Sequence, residues 1–133
     1  MYLSRSALQA LSWERLREAR RLAGAGLWPG AYHLSGYAVE CALKACIVKK
    51  QRRHEVPFDR AAATRIYSHD LVALLKLADV PEPDPATEAS WTVAKDWTPD
   101  CRYRLDITEA LARDYIKAVG GRKGVLAWLR RSW

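Results

Sequence analysis

His33, Tyr37, Glu40 and Lys44 follow one another at steps of four, three and four, so a helix over Ala31 to Lys50 carries all four along one line. Together they offer a ring base, a phenol, a carboxylate and an ammonium. Leu34, Ala38, Cys41, Ala45 and Val48 form a second line, and Gly36, Val39, Leu43 and Cys46 a third; both are apolar. A helix apolar over that much of its circumference belongs in the middle of a helical assembly, and its polar stripe must be satisfied internally or face a cleft. Two readings follow. Glu40 and Lys44, acid first and four apart, can form an intrahelical ion pair worth a few tenths of a kcal/mol. Alternatively Tyr37, Glu40 and Lys44 line a polar groove between helices or subunits.

Two further groups could do chemistry. His69 follows Ser68, a good N-cap, and so falls in the first turn of an expected helix. There the helix dipole disfavours an imidazolium and the free backbone N–H groups favour an anion. A neutral imidazole can act as a base near physiological pH, with Arg65, Arg102 or Lys44 stabilising a phosphorane charge. The competing role is a histidine that packs on a neighbouring helix and bonds its own cap. Arg102 and Arg104 flank Tyr103, a combination that can pair with phosphate while the ring stacks on a base. The competing role puts Tyr103 in the core and pairs the arginines with Asp96, Asp100 or Asp106.

The elements that must position these residues are helical. A first helix is expected from Ser6 to Ala23, opened by a Ser6–Gln9 capping spacing, with Leu8, Leu11, Leu16, Ala19, Leu22 and Ala23 as its apolar side. Gly24 to Gly30, containing Pro29, ends it, and the second helix runs from Ala31 to Gln51. Between Arg52 and Tyr67 the periodicity is poor, Pro57 interrupts, and a short helical piece is expected at Arg60 to Thr64. A third helix runs from Ser68 to about Leu77. Asp79 to Ser90 reads as a stiff acidic connector with Pro81, Pro83 and Pro85 in alternation. Asp84 opens a short helix to about Trp97, and Asp106 with Glu109 has capping-box spacing for the last helix. Leu111, Tyr115, Ala118, Val125 and Leu129 keep one phase, which predicts one long helix through Gly120 and Gly121. No alternating strand pattern appears. The expected fold is all-α, a bundle of four main helices with one short extra helix.

The 133 residues fit a single domain, 1–133, and carry a net charge of +7. The excess is clustered at Arg15, Arg17, Arg20 and Arg21, at Lys49 to Arg53, at Arg102 and Arg104, and at Arg122, Lys123, Arg130 and Arg131. Such a surface suits an anionic partner: nucleic acid, a nucleotide or an acidic protein. For Lys49 to Arg53 a helix-dipole role is the simpler account. No apolar run reaches the ~20 residues of a membrane span, and the N-terminal segment is unlike a signal peptide, so a cytoplasmic protein without membrane contact is expected. Cys41, Cys46 and Cys101 show no CxxC spacing and read as buried free thiols. With His33, His54 and His69 they lack recognisable zinc-ligand spacing, so neither metal nor cofactor is expected. Six tryptophans are many for this size, and Trp128 and Trp133 are expected to be exposed at a dimer interface.

AYHLSGYAVECALKA, then YSHDLVALL, then a tryptophan and RY ahead of the final helix, resembles the HEPN domain family over essentially the whole chain. The resemblance implies an up-and-down four-helix bundle and a homodimer with a basic cleft at or near its interface. It implies one of two roles: partner of a minimal nucleotidyltransferase in a toxin–antitoxin pair, or metal-independent endoribonuclease; a non-catalytic helical interaction scaffold is the third alternative. The ribonuclease branch carries an arginine some residues ahead of a histidine, and the matching pair here would be Arg65 and His69, which stand closer together than in that branch. The arginine and tyrosine that recur before the family's last helix match Arg102 and Tyr103.

Overall fold

The structure, a computed structural model, describes residues 4–52 and 65–133. The expected piece at Arg60 to Thr64 lies outside the described residues, as do Arg53, His54 and Pro57.

Helix α1 (Arg5–Gly24) is capped by Ser4, whose hydroxyl accepts from the Ala7 N–H at 3.1 Å, so the cap is not Ser6. Its buried face is Leu8, Ser12, Leu16, Ala19 and Ala23, while Leu11 is exposed. Ser12 is a polar residue in that face, and its hydroxyl donates to the Ala38 carbonyl at 2.8 Å. Helix α2 (Trp28–Arg52) begins three residues earlier than the sequence suggested. Pro29 lies in its first turn, where its missing N–H would have had no intrahelical acceptor.

Helix α3 (Leu71–Ala78) is capped by Asp70, whose carboxylate accepts from the Val72 and Ala73 N–H groups. Ser68 sits further out and accepts from the Asp70 N–H at 3.0 Å. An ionised carboxylate is the stronger acceptor for two N–H groups, which is why the cap moves two residues on from Ser68. Asp84 caps α4 (Pro85–Ala94) by accepting from Thr87 N–H at 2.8 Å, and this helix stops short of Trp97. A 3₁₀ turn covers Pro99–Tyr103.

Helix α5 (Glu109–Gly120) is capped by Thr108, not Asp106; the Asp106 carboxylate is engaged by Arg104 instead. The expected long last helix is broken. Gly121 is extended and α6 (Val125–Leu129) starts afresh after Gly124. A Cβ on Gly124 would sit 2.8 Å from the Val119 carbonyl oxygen, so the tight turn needs glycine there. The buried phase of α5 is Ala112, Tyr115, Ala118 and Val119, and Leu111 faces outward.

Among the described residues the fold is all-helical, with no strand. Helix α2 is its centre, packed on α1, α3, α5, α6 and the 3₁₀ turn. Of its apolar lines Gly36, Val39, Leu43 and Cys46 are buried, as are Ala38 and Ala45, whereas Leu34, Cys41 and Val48 are only partly so; Ala42 and Ile47, on neither line, are inside as well. Trp97 is fully buried and lies against Gly36, where any Cβ would come within 2.1 Å of its indole. Trp128 is also buried, its Nε1 donating to the Pro81 carbonyl at 2.9 Å, and Trp133 packs edge-on against Trp13. Neither is the exposed residue expected from the sequence, because the break at Gly121 folds α6 back onto the core. Among the described residues no helix is long and apolar enough to cross a membrane.

Candidate functional site

The polar stripe of α2 is one continuous cluster. Glu40 and Lys44 are each 5% exposed, and the Lys44 ammonium donates to Glu40 Oε2 at 3.1 Å. The other carboxylate oxygen, Oε1, lies 2.7 Å from His69 Nδ1. Glu40 therefore holds a buried cation with one oxygen and a half-exposed imidazole with the other. The intrahelical pair is present, and Glu40 extends it by one further contact to His69 on a neighbouring segment.

His69 is not in the first turn of a helix. It precedes the Asp70 cap, and the Asp70 carboxylate already occupies the Val72 and Ala73 N–H groups. What orients its ring is Glu40 from the neighbouring helix. A carboxylate on Nδ1 fixes the N–H there and leaves the lone pair on Nε2, the form of imidazole that can accept a proton.

One turn back along α2, Tyr37 packs between rings. It lies edge-on to His69 at 6.3 Å, to Trp97 at 4.9 Å and to His33 at 5.0 Å. Burial, with the Glu40 charge behind it, pushes the Tyr37 phenol up, against the pull of Arg102. His33 Nδ1 lies 3.2 Å from Cys101 Sγ. Burial and the nearby Arg102 charge lower the His33 pKa, and burial raises that of Cys101. Both shifts favour the neutral forms, so the contact is a hydrogen bond between a neutral ring and a thiol. Cys41 and Cys46 are free, with burial pushing each thiol up to about 11.

The 3₁₀ turn supplies the outer rim. Arg102 and Tyr103 are exposed, Tyr103 at 77%, and the guanidinium lies 4.8 Å from the Tyr103 ring centroid. The core role for Tyr103 is thereby excluded. Arg104 turns away and forms a forked pair with Asp106 at 2.9 and 3.1 Å. Arg65 is exposed, and its described bond is through its carbonyl, which accepts from the Ser68 N–H at 3.3 Å. Among the described residues no hydrogen bond or ion pair links the Arg65 side chain to His69.

The structure thus brings Tyr37, Glu40, Lys44 and His69 together, with Arg102 next to Tyr37 and Tyr103 under the Arg102 guanidinium, and leaves Arg104 paired with Asp106 and Arg65 outside. Trp97, Cys101 and His33 belong to the same cluster. The sequence places His33 on the stripe and marks Trp97 as a packing residue and Cys101 as a buried thiol, but nothing in it assigns those two to this site; Trp97 reaches it against Gly36. Among the described residues no group of three or more His, Cys, Asp or Glu side chains is placed to hold a metal ion. Comparison with protein-family models, with curated proteins and with solved structures yields no match.

Proposed function

We propose that this chain is a HEPN-type protein that binds RNA or a nucleotide along the edge formed by Tyr37, His69, Arg102 and Tyr103. The observation that carries the reading is the exposed Arg102–Tyr103 pair beside a ring-lined polar site, since a cation held over an exposed phenol suits a phosphate and a base together. In this reading Glu40 and Lys44 are the buried support, and the helices complete an up-and-down four-helix bundle. The central position of α2 between α1, α3 and α5 is what supports that bundle. The protein acts in the cytoplasm as a homodimer, together with a minimal nucleotidyltransferase in a toxin–antitoxin-like module. An exposed Leu105, at 93%, beside Tyr103 supports a protein contact at this rim. Light scattering at micromolar concentration should report a dimer, and a monodisperse monomer would remove that part of the reading.

The binding test is fluorescence anisotropy with a short labelled RNA and with nucleoside phosphates. Affinity should fall with salt, and Tyr103→Ala should weaken RNA binding about tenfold, the scale of one lost base stack. Arg104→Ala should change it little, because Asp106 already occupies that guanidinium. Absence of binding to RNA and nucleotides at low salt refutes the reading.

A second reading, metal-independent endoribonuclease, is favoured by the 2.7 Å contact between Glu40 and His69. With Nδ1–H given to Glu40, Nε2 can take the proton of a ribose 2'-hydroxyl as that oxygen attacks the adjacent phosphorus. The P–O5' bond then breaks, the 5'-oxygen taking a proton from solvent water, and a 2',3'-cyclic phosphate remains on the other fragment. Cleavage of a structured RNA in chelator, lost by about a hundredfold or more in His69→Ala with the fold intact, would place this reading first.

A further inference from the structure

A second charged region lies apart from His69 and is built from two segments remote in sequence. Trp13, Leu16, Arg17, Arg20 and Arg21 share one face of α1 and line a hollow of about 360 Å³. Beside it the end of α5 and the residues after α6 close in. Arg20 donates to the Gly120 carbonyl at 3.0 Å, and the Arg130 guanidinium stacks 4.0 Å above the Trp13 ring. Trp13 itself is 44% exposed.

The charge here is not balanced. Arg17 pairs with Glu14 and Arg15 with Glu18, but among the described residues Arg20, Arg21, Arg130 and Arg131 have no carboxylate within ion-pair distance. Partial burial, and after it the nearby Arg20 charge, works against the charge on Arg130 and lowers its pKa. Gly120 makes the approach possible, since a Cβ there would meet Arg20 at 2.7 Å and Leu16 at 2.9 Å. Like charges gathered around a hollow cost free energy that an anion entering it recovers. Guanidinium forks suit the oxygens of phosphate, and an indole among them offers a face or edge to a base or sugar.

We propose that this hollow is a phosphate-binding groove for a single nucleic-acid strand, separate from the His69 site. Arg20, Arg21 and Arg130 pair with successive phosphodiester oxygens, and Trp13 packs against the base or sugar between them. An indole set among guanidinia that have no carboxylate partner, Arg20 and Arg130 donating only to backbone carbonyls, favours a nucleic acid over an acidic peptide, which would use the charges and leave the ring idle. The groove stands whether or not the Arg102–Tyr103 rim binds RNA.

The test uses the full chain and a single-stranded oligouridylate carrying 4-thiouridine, read by photocrosslinking with peptide mapping and by anisotropy. Crosslinks should map to the Trp13 peptide in the wild type and equally in Arg102→Ala. Arg21→Glu should weaken binding about tenfold and make its salt dependence shallower. Arg20→Gln should act in the same direction; if it loses its fold, the exposed Arg21→Glu decides alone. Crosslinks confined to the Tyr103 or His69 peptides, with affinity unchanged in Arg21→Glu, overturn the proposal. So does an oligoglutamate peptide that binds more tightly than the RNA and loses its binding in Arg21→Glu, which would assign the groove to an acidic protein segment.

Discussion

The α2 stripe and the α1 groove are both charged, and they handle charge in opposite ways. In the stripe a single carboxylate serves two partners, Lys44 at 3.1 Å and His69 at 2.7 Å, in a place where Glu40 and Lys44 are almost sealed from water. In the groove Arg17 pairs with Glu14, while among the described residues Arg20, Arg21 and Arg130 have no carboxylate within ion-pair distance, and Arg20 and Arg130 donate to backbone carbonyls instead. A buried ion must be neutralised by the protein itself, because desolvation costs several kcal/mol. A half-exposed arginine can leave that task to solvent and, later, to a ligand. The stripe is therefore organised for orientation and the groove for affinity.

Removing the acid is the hardest test of that contrast. Glu40→Ala leaves the Lys44 ammonium buried without a partner and should cost about 3–5 kcal/mol in denaturant unfolding. Replacing both residues with apolar side chains of similar volume should recover much of that loss. If Glu40→Ala unfolds like the wild type, the stripe is solvated and the comparison fails.

Gly36→Ala probes the packing beneath the stripe. The new Cβ would land 1.9–2.1 Å from the Trp97 indole, so the tryptophan must shift, at a cost of about 1–3 kcal/mol. Its displacement also releases Tyr37, and a fall in RNA affinity in step with stability would tie the core to the rim. An unaltered Trp97 emission and melting temperature would contradict the close contact.

His33 gives a smaller, pH-dependent effect. Its folded pKa lies below the ordinary value of 6.5, through burial first and the Arg102 charge second. The unfolded chain therefore takes up a proton at a pH where the folded chain does not. The stability from keeping His33 neutral is complete above about pH 6.5 and is lost as pH falls toward the depressed folded value. His33→Gln should flatten the urea midpoint against pH over that window. A slope identical to the wild type would show that another group carries it.

The smallest expected change is at Arg104. Its pair with Asp106 is exposed, and such pairs contribute little, so Arg104→Ala should leave the melting temperature unchanged. A clear loss would mean that the loop ahead of α5 depends on the pair, and that Arg104 belongs with the buried set after all.

Much of the stripe was legible before any coordinates, because a period near 3.6 in an apolar background places His33, Tyr37, Glu40 and Lys44 on one line whatever surrounds them. His69 was found for a partly mistaken reason. The helix-start argument put it in a first turn, whereas Asp70 takes the N–H groups and Glu40 takes the ring. Capping residues compete within a few positions, as at Ser4 against Ser6 and Thr108 against Asp106, and local sequence does not rank them. Trp97 and Cys101 read as buried residues, but no local signal assigned them to the stripe, since Trp97 is admitted by the missing side chain of Gly36 and Cys101 meets His33 from a distant segment.

The amino-acid sequence by itself determined the helical class, the central place of α2 and the polar line upon it, because these depend on residues a few positions apart. Tertiary structure alone decided that Glu40 reaches His69 with its second carboxylate oxygen, and that Arg20 and Arg130 meet beside Trp13. The second of these depends on the break at Gly121, which turns the end of the chain back onto α1. No spacing within a single helix encodes the distance between two segments 110 residues apart, since that distance is set by how side chains fill the core between them.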